Sequence, residues 1–152
     1  MRNLLFISIF AVVATVIGCT SKKQCEVAQQ EPSICGKWEL TKINNNDVVA
    51  NTEEEQAYVI FNMQDSTIAA FDGCNNIGGW VVKADSGNLV MVDMASTLQF
   101  CPDQGESAML GAILNVADKY EIKECAENGK FLVIASSNDS ISATFKAVEE
   151  TK

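Results

Sequence analysis

The stretch AFDGCNNIGGWV, from Ala70 to Val81, places a cysteine between a glycine and two asparagines. An apolar run precedes this cysteine and a Gly-Gly pair follows it, a composition typical of a turn between two strands. A cysteine in such a turn can be a nucleophile, a metal ligand or one half of a disulfide. The role of Cys74 therefore largely decides whether the chain is an enzyme.

The chain begins with a segment typical of bacterial export signals. Arg2 is followed by the apolar run Leu4–Ile17, which is short for a membrane span. The run ends in Val-Ile-Gly-Cys at 16–19, which resembles the bacterial lipobox. The resemblance implies cleavage before Cys19, diacylglycerol on its thiol and further acylation, such as palmitate, at the new amino terminus. The alternative is an ordinary signal peptide with an incidental cysteine.

Four regions follow from this interpretation. Residues 1–18 are the predicted signal peptide, and residues 19–34 are polar, lack periodicity and are interpreted as a flexible tether to the lipid. Residues 35–148 are the predicted domain, which is long enough to build a sizeable core. Residues 149–152 are a short tail.

Composition excludes several classes of function. The chain has no histidine, so Ser-His-Asp and Cys-His catalysis are excluded and the commonest zinc sites are disfavoured. It has 11 basic and 20 acidic residues, a formal net charge of −9, and this balance argues against nucleic acid as a partner. A carboxylate pair stays open in principle, but the acids are scattered as on a solvated surface. Residues 44–47 and 53–55 offer oxygens without EF-hand spacing, so we predict neither a metal nor a cofactor.

Most of the domain has strand-like patterning. Short apolar or alternating runs, separated by turn residues, predict strands at 37–41, 57–61, 67–71, 80–83, 89–94, 120–123, 131–135 and 141–147. The Asn128-Gly129 pair is a strong hairpin signal between two of these runs. Gly73, Asn75, Asn76, Gly78 and Gly79 are interpreted as turn residues where one strand ends and the next begins.

One segment has helical spacing instead. Met109, Leu110, Ile113, Leu114 and Ala117 recur at intervals of three and four, and Asp103 with Glu106 forms an Asp version of the capping box. This pattern predicts a single helix at about 104–118. We therefore expect a mostly β, or β-rich α+β, fold in which about eight antiparallel strands form a meander and a cracked or partly closed barrel, with the α-helix covering its open end.

The order of short motifs resembles a known family. The chain has Gly36-Lys37-Trp38 at the domain start, Gly73-Cys74-Asn75 in the turn, Thr97 to Cys101 (TLQFC) before the helix, and closing strands through Phe145. This resembles the META domain of HslJ-like bacterial lipoproteins over about residues 36–146. The resemblance implies a small β-rich fold with one helix, no established catalytic activity, and a link to heat or envelope stress and novobiocin tolerance.

The six cysteines are expected to be partly paired, because exported proteins meet oxidising conditions. The resemblance implies a disulfide between Cys74 and Cys101. For the rest, Cys35–Cys125 is the preferred second disulfide, with Cys25 free in the tether. Cys25–Cys35 is the rival arrangement, and lipidation of Cys19 leaves an odd number, so at least one thiol stays free or pairs between chains.

Three functions compete on this basis. The first is a non-enzymatic envelope lipoprotein, anchored by lipid on Cys19 in the outer membrane with its domain in the periplasm, and acting through an unknown envelope protein. The second is a module that binds a lipid or another apolar ligand inside the barrel, which eight strands can enclose. The third is an enzyme that uses Cys74, which lacks a neighbouring base to activate it.

Overall fold

The computed structural model describes residues 26–27, 33–49, 56–102, 105–126 and 128–148. The predicted signal peptide (1–18), the lipidation site Cys19, Cys25, which is predicted to be free, the tail (149–152), Asp103 of the capping box and the acids at 53–55 lie outside these residues.

Strands dominate the described chain. The α-helix α1 spans Leu110–Val116 and follows a 3₁₀ turn at Gly105–Met109. The ten strands are β1 Glu26–Val27, β2 Gly36–Ile43, β3 Asn46–Asp47, β4 Tyr58–Asn62, β5 Thr67–Phe71, β6 Asn76–Asp85, β7 Asn88–Ser96, β8 Lys119–Cys125, β9 Gly129–Ala135 and β10 Ser142–Ala147.

Eight strands form a ring with antiparallel neighbours throughout. The order is β8-β7-β6-β5-β4-β2-β10-β9, and β9 pairs again with β8 over the whole length of β8. The two-residue strands β1 and β3 are additions that pair with β8 and β2, respectively. The predicted antiparallel meander of about eight strands and its partly closed barrel are therefore confirmed.

The ring is weakest between β7 and β8. These strands share a single register pair, Asn88 with Lys119. Backbone hydrogen bonds from Leu89 N to Asp118 O (2.9 Å) and from Tyr120 N to Gly87 O (2.9 Å) extend the contact only slightly. We call this opening the crack. The sheet is a cracked barrel because β7 and β8 pair only at the first residue of each strand.

Helix α1 packs its apolar side into the barrel. Leu110, Ile113 and Leu114 are almost completely buried and belong to the same core as the inward residues of the strands. A Cβ on Gly111 would lie 3.4 Å from Ile77 Cδ1 of β6, so this position packs closely on the sheet. No helix among the described residues is long and apolar enough to cross a membrane.

The helix is shorter than predicted. The periodic segment 104–118 divides into the 3₁₀ turn and the seven-residue α1, and Ala117 already has an extended backbone (φ −70°, ψ 132°). Met109 at the N-cap has helical dihedrals and makes no side-chain capping bond. Leu110, Ile113, Leu114 and Ala117 of the predicted apolar side are buried, whereas Met109, at the junction of the 3₁₀ turn and α1, is exposed.

The tether prediction needs correction at two places. Glu26 and Val27 pair with Glu124 and Lys123 of β8, so part of the segment 19–34 is a strand. Ile34 is buried in the core, and its carbonyl accepts a 2.8 Å hydrogen bond from the Trp38 indole nitrogen. The domain therefore begins before Cys35, since a buried indole N–H requires this partner.

The interpretation of Asn76, Gly78 and Gly79 as turn residues is also wrong. All three lie within β6, whose register with β7 shifts between Gly78 and Trp80. A Cβ on Gly79 would meet the Met94 sulfur and lie 3.0 Å from the Val92 carbonyl oxygen. Glycine is needed there because β7 approaches closely at a bulge.

Strand β7 has its own irregularity at Asp93. This exposed residue has φ 53°, in the left-handed region that non-glycine residues rarely adopt. Met91 and Met94, two residues before and one after it, both pack against the core. The local kink therefore turns two methionines inward where plain alternation would point them to opposite faces.

We predict that Gly79→Ala destabilises the fold by about 1–3 kcal/mol, the usual cost of overpacking a tight site. Gly78→Ala is the matched control, since a Cβ there would lie 3.8 Å from the nearest atom, Ile68 O, which is ordinary contact. Urea unfolding of the two variants beside the parent chain measures the difference. Equal midpoints for the two variants would contradict the close-approach explanation.

Candidate functional site

The turn after β5 is organised by the carboxylate of Asp72. Its Oδ1 accepts hydrogen bonds from the backbone N–H groups of Cys74 (2.9 Å) and Asn75 (2.6 Å), and Asp72 N donates to Asn75 O (3.1 Å). Gly73 supplies the left-handed residue (φ 93°) that this turn requires. The turn predicted from Gly73, Cys74 and Asn75 therefore exists, and Asp72, which the sequence analysis did not single out, holds it together.

The turn is bonded to the segment that leaves β7. Asn75 Oδ1 accepts from Gln99 N (2.7 Å) and from Thr97 Oγ1 (3.0 Å). Thr97 N donates to Asn76 O (3.0 Å), and Asn76 N donates to Thr97 Oγ1 (3.1 Å). We call these two segments, 72–76 and 97–101, the clamp. Their pairing extends the β6–β7 ladder past the last strand residue.

A disulfide closes the clamp. Cys74 and Cys101 are bonded, with their Cα atoms 6.1 Å apart and a sequence separation of 27. This is the pair that the family resemblance implies. Cys74 is only 6% exposed, and its sulfur is committed to the bond. In this state the sulfur has no thiolate form with which to attack a substrate.

The clamp also contacts the start of the helical segment. A Cβ on Gly73 would lie 3.1 Å from the hydroxyl oxygen of Ser107, a buried residue of the 3₁₀ turn. The turn after β5, the exit of β7 and the entry to α1 therefore meet at one place. The sequence could have indicated the turn itself, because Asp-Gly-Cys-Asn has the spacing of an Asx turn, but the contact with Ser107 is tertiary.

The clamp exposes two large apolar side chains. Leu98 is 97% exposed and Phe100 is 91% exposed, while the residues beside them, Thr97, Gln99 and Cys101, are held by the bonds just described. We call residues 97–100 the display loop. Solvent exposure of this kind is unusual for Leu and Phe in a loop whose backbone is fixed.

A second apolar surface lies on the outer side of the β6–β7 pair. Trp80 (52% exposed) is the register partner of Val92, and Val82 and Val90 are exposed on the same two strands. We call these four residues the apolar face. Sequence periodicity missed it, because the register shifts near Gly79 and Val82 disturb the alternation that separates inner from outer positions.

The preferred second disulfide, Cys35–Cys125, is wrong. Cys35 is free and exposed, whereas Cys125 is disulfide-bonded. The free Cys35 also excludes the rival Cys25–Cys35. Cys35 precedes β2, and β10 and β9 lie between β2 and β8 in the ring. Three strand spacings of about 4.8 Å exceed the separation that a disulfide can bridge.

The loop considered for calcium is a hairpin. Asn44 and Asn45 both have positive φ (48° and 69°), as a tight turn between β2 and β3 requires, and Asp47 is ion-paired with Lys42 at 2.6 Å. Among the described residues, no group of three or more His, Cys, Asp or Glu side chains could hold a metal ion.

We predict that the double substitution Cys74→Ala with Cys101→Ala lowers the free energy of unfolding by about 3–4 kcal/mol, from the chain entropy of a 27-position loop. Cys35→Ser is the matched control and should change it by less than about 0.5 kcal/mol, because that thiol is free and exposed. Denaturant titration without reductant measures both. A double variant as stable as the control would show that the clamp does not depend on its disulfide.

Comparison with known proteins agrees with the architecture. An NMR structure of a protein from Burkholderia xenovorans matches with a TM-score of 0.57 at 16% sequence identity, covering 76% of this chain and 83% of that one. At this identity the match shows the fold alone. No curated protein sequence matches the chain. The family model described as META domain matches residues 32–149, which include the clamp, the display loop and the whole ring of strands, and the chain therefore belongs to the META domain family.

Proposed function

We propose that this protein is a non-enzymatic, lipid-anchored envelope protein, accessory to stress or antibiotic tolerance, that acts by binding an apolar segment of another envelope protein. Membership of the META family supports the coarser part, a domain of the bacterial envelope. The proposed binding to an apolar segment of another protein is supported by the display loop, whose Leu98 and Phe100 are almost fully exposed.

The fixed backbone of the display loop favours binding. Gln99 N bonds to Asn75, Thr97 bonds to Asn75 and Asn76, and Cys101 is covalently tied to Cys74. A loop that is ordered before binding loses less conformational entropy when a partner arrives. Exposed aromatic and aliphatic side chains on such a loop are typical anchors of a protein interface.

The apolar face enlarges the available surface. Trp80, with Val92 opposite it, adds an exposed indole of the kind enriched at interfaces. Lys83 at the margin of this face is 3.2 Å from Asp85, so its charge is already paired. The chain's net charge of −9 disfavours anionic lipid headgroups as the occupant, and therefore favours an apolar protein segment.

The absence of enzymatic activity is supported by chemistry. The sequence has no histidine, and Cys74, the candidate nucleophile, is in a buried disulfide. Asp72, the buried carboxylate nearest to it, is engaged by two backbone N–H groups of the turn. The role of the Asp72 carboxylate is therefore explained by stabilisation of the turn, without a catalytic function.

An apolar ligand inside the barrel is the weaker candidate. The interior holds large side chains with almost no exposed area, among them Phe61, Phe145, Leu40, Ile134 and Leu114. Among the described residues, a surface depression of about 760 Å³ lies outside this core, at the end of the β8–β9 hairpin. Glu124, Lys130 and Lys146 contribute to its walls. A polar rim of this kind suits an apolar ligand poorly.

The predicted contact can be tested by site-specific photocrosslinking in the native envelope. A photoreactive residue at position 98 should crosslink to one defined protein, and Phe100→Ser should reduce the yield about tenfold, the loss expected on removal of one anchor. The same photoreactive residue at Val116, an exposed apolar position on α1, is the control and should give no such product. Crosslinks from position 98 to lipid, or equal yields from both positions, would contradict the proposal.

Lipid anchoring is tested separately at Cys19. Cys19→Ala should abolish incorporation of labelled palmitate and release the protein from the outer-membrane fraction, because one thiol carries the diacylglycerol. Cys35→Ser is the control and should remain fully labelled. Persistent association of the unlabelled Cys19→Ala protein with the outer-membrane fraction would rule out the lipid as its anchor there.

A further inference from the structure

Cys125, the last residue of β8, is disulfide-bonded. Among the other described cysteines, Cys74 and Cys101 are bonded to each other and Cys35 is free. Within one chain, this leaves only Cys19 and Cys25 as candidates for the partner of Cys125. We infer that the partner is Cys25, so that a second disulfide fastens the amino-terminal strand to the barrel.

The register of β1 carries this assignment. Glu26 pairs with Glu124 and Val27 with Lys123, in antiparallel orientation. Position 25 lies outside the described residues, and the same register continued by one residue would set it opposite position 125. Residues directly opposite in an antiparallel pair have Cα atoms about 4.5–5.5 Å apart, within the range of about 4.4–6.8 Å that disulfides span. Cys19 is six residues farther along, at most about 20 Å from Cys25 in extended chain, and would have to fold back.

The disulfide explains how so short a strand holds its place. A two-residue strand has few backbone hydrogen bonds, and isolated pairings of this size are marginal in water. A covalent bond next to Glu26 keeps β1 beside β8 at small entropic cost. It also makes the amino-terminal segment part of the domain, where composition alone predicts a tether that extends to residue 34.

The bond also orients the domain, a consequence that rests on the proposed lipid at Cys19. The chain between the lipid and this bond is then six residues long, from Cys19 to Cys25, which limits its reach to about 20 Å. Because β7 and β8 are antiparallel, they run in opposite directions from their shared pair, Asn88 with Lys119. The end of β8 and the display loop beyond β7 are thus separated by roughly 40 Å along the strands. The lipid holds one end of the barrel at the bilayer, and the display loop points away from it.

Peptide mapping of the lipidated protein, purified from its own envelope and alkylated without reduction, tests the assignment. Trypsin leaves Cys25 and Cys35 on one peptide, residues 24–37, so a glutamate-specific protease that cuts after Glu26 must be added. The expected result is one linked pair that contains Cys25 and Cys125, together with alkylated Cys35. Cys125 linked to Cys19, linked to a second chain, or alkylated would overturn the inference.

Two variants give an independent readout. Cys25→Ser should add one alkylatable thiol, at Cys125, whereas Cys35→Ser should remove the single thiol of the parent protein. An unchanged thiol count in Cys25→Ser would also overturn the inference. The mass of the amino-terminal peptide reports acylation of Cys19 separately. An unacylated Cys19 with an intact Cys25–Cys125 bond would contradict the proposed function and leave the disulfide standing.

Discussion

The single register pair between Asn88 and Lys119 is the constraint on which the rest of the fold depends. Every other neighbouring pair in the ring shares at least four register positions, so the barrel is continuous except at the crack. An open barrel exposes its apolar interior unless another element fills the gap. Leu110, Ile113 and Leu114 of α1 supply that cover, and they are among the most deeply buried residues in the molecule.

The clamp fixes the position of α1, the helix that covers the gap. Helix α1 follows β7 after a short segment, so its position depends on where that segment leaves the sheet. The disulfide at Cys101, the Asn75 bonds and the packing of Ser107 against Gly73 fix that exit at three points. The same fixation leaves Leu98 and Phe100 pointing into solvent. Core closure and the display of an apolar loop therefore have one structural cause.

Much of this architecture can be predicted from the sequence, for a physical reason. In β5 and β10, the alternation of side chains is enforced by one buried and one more exposed face, and both strands appear within a residue of their predicted limits. The spacing of its apolar residues at intervals of three and four predicts the helix. Gly73 is recognisable because few residues adopt the left-handed backbone that this turn requires.

The remaining features depend on contacts between distant parts of the chain. Gly79 resembles a turn residue, but its reason lies 15 positions away in Met94. The strand β1 has only two residues, so no periodicity can reveal it, and its pairing with β8 is a tertiary contact. The mistaken Cys35–Cys125 pairing has the same origin, since a sequence contains the cysteines but not the number of strands between them.

Asp93 bears on how this protein avoids self-association. Beyond Asn88, the edge of β7 that faces away from β6 pairs with no other described strand, although α1 contacts β7, and Val90 and Val92 of this strand are exposed on its outer face. An apolar strand with an open edge is a template for the addition of identical chains. The left-handed backbone of Asp93 interrupts the regular spacing of donors and acceptors along that edge, and its carboxylate would be buried against any added strand. One residue thus makes this edge a poorer template for strand addition, beside an apolar face that stays exposed.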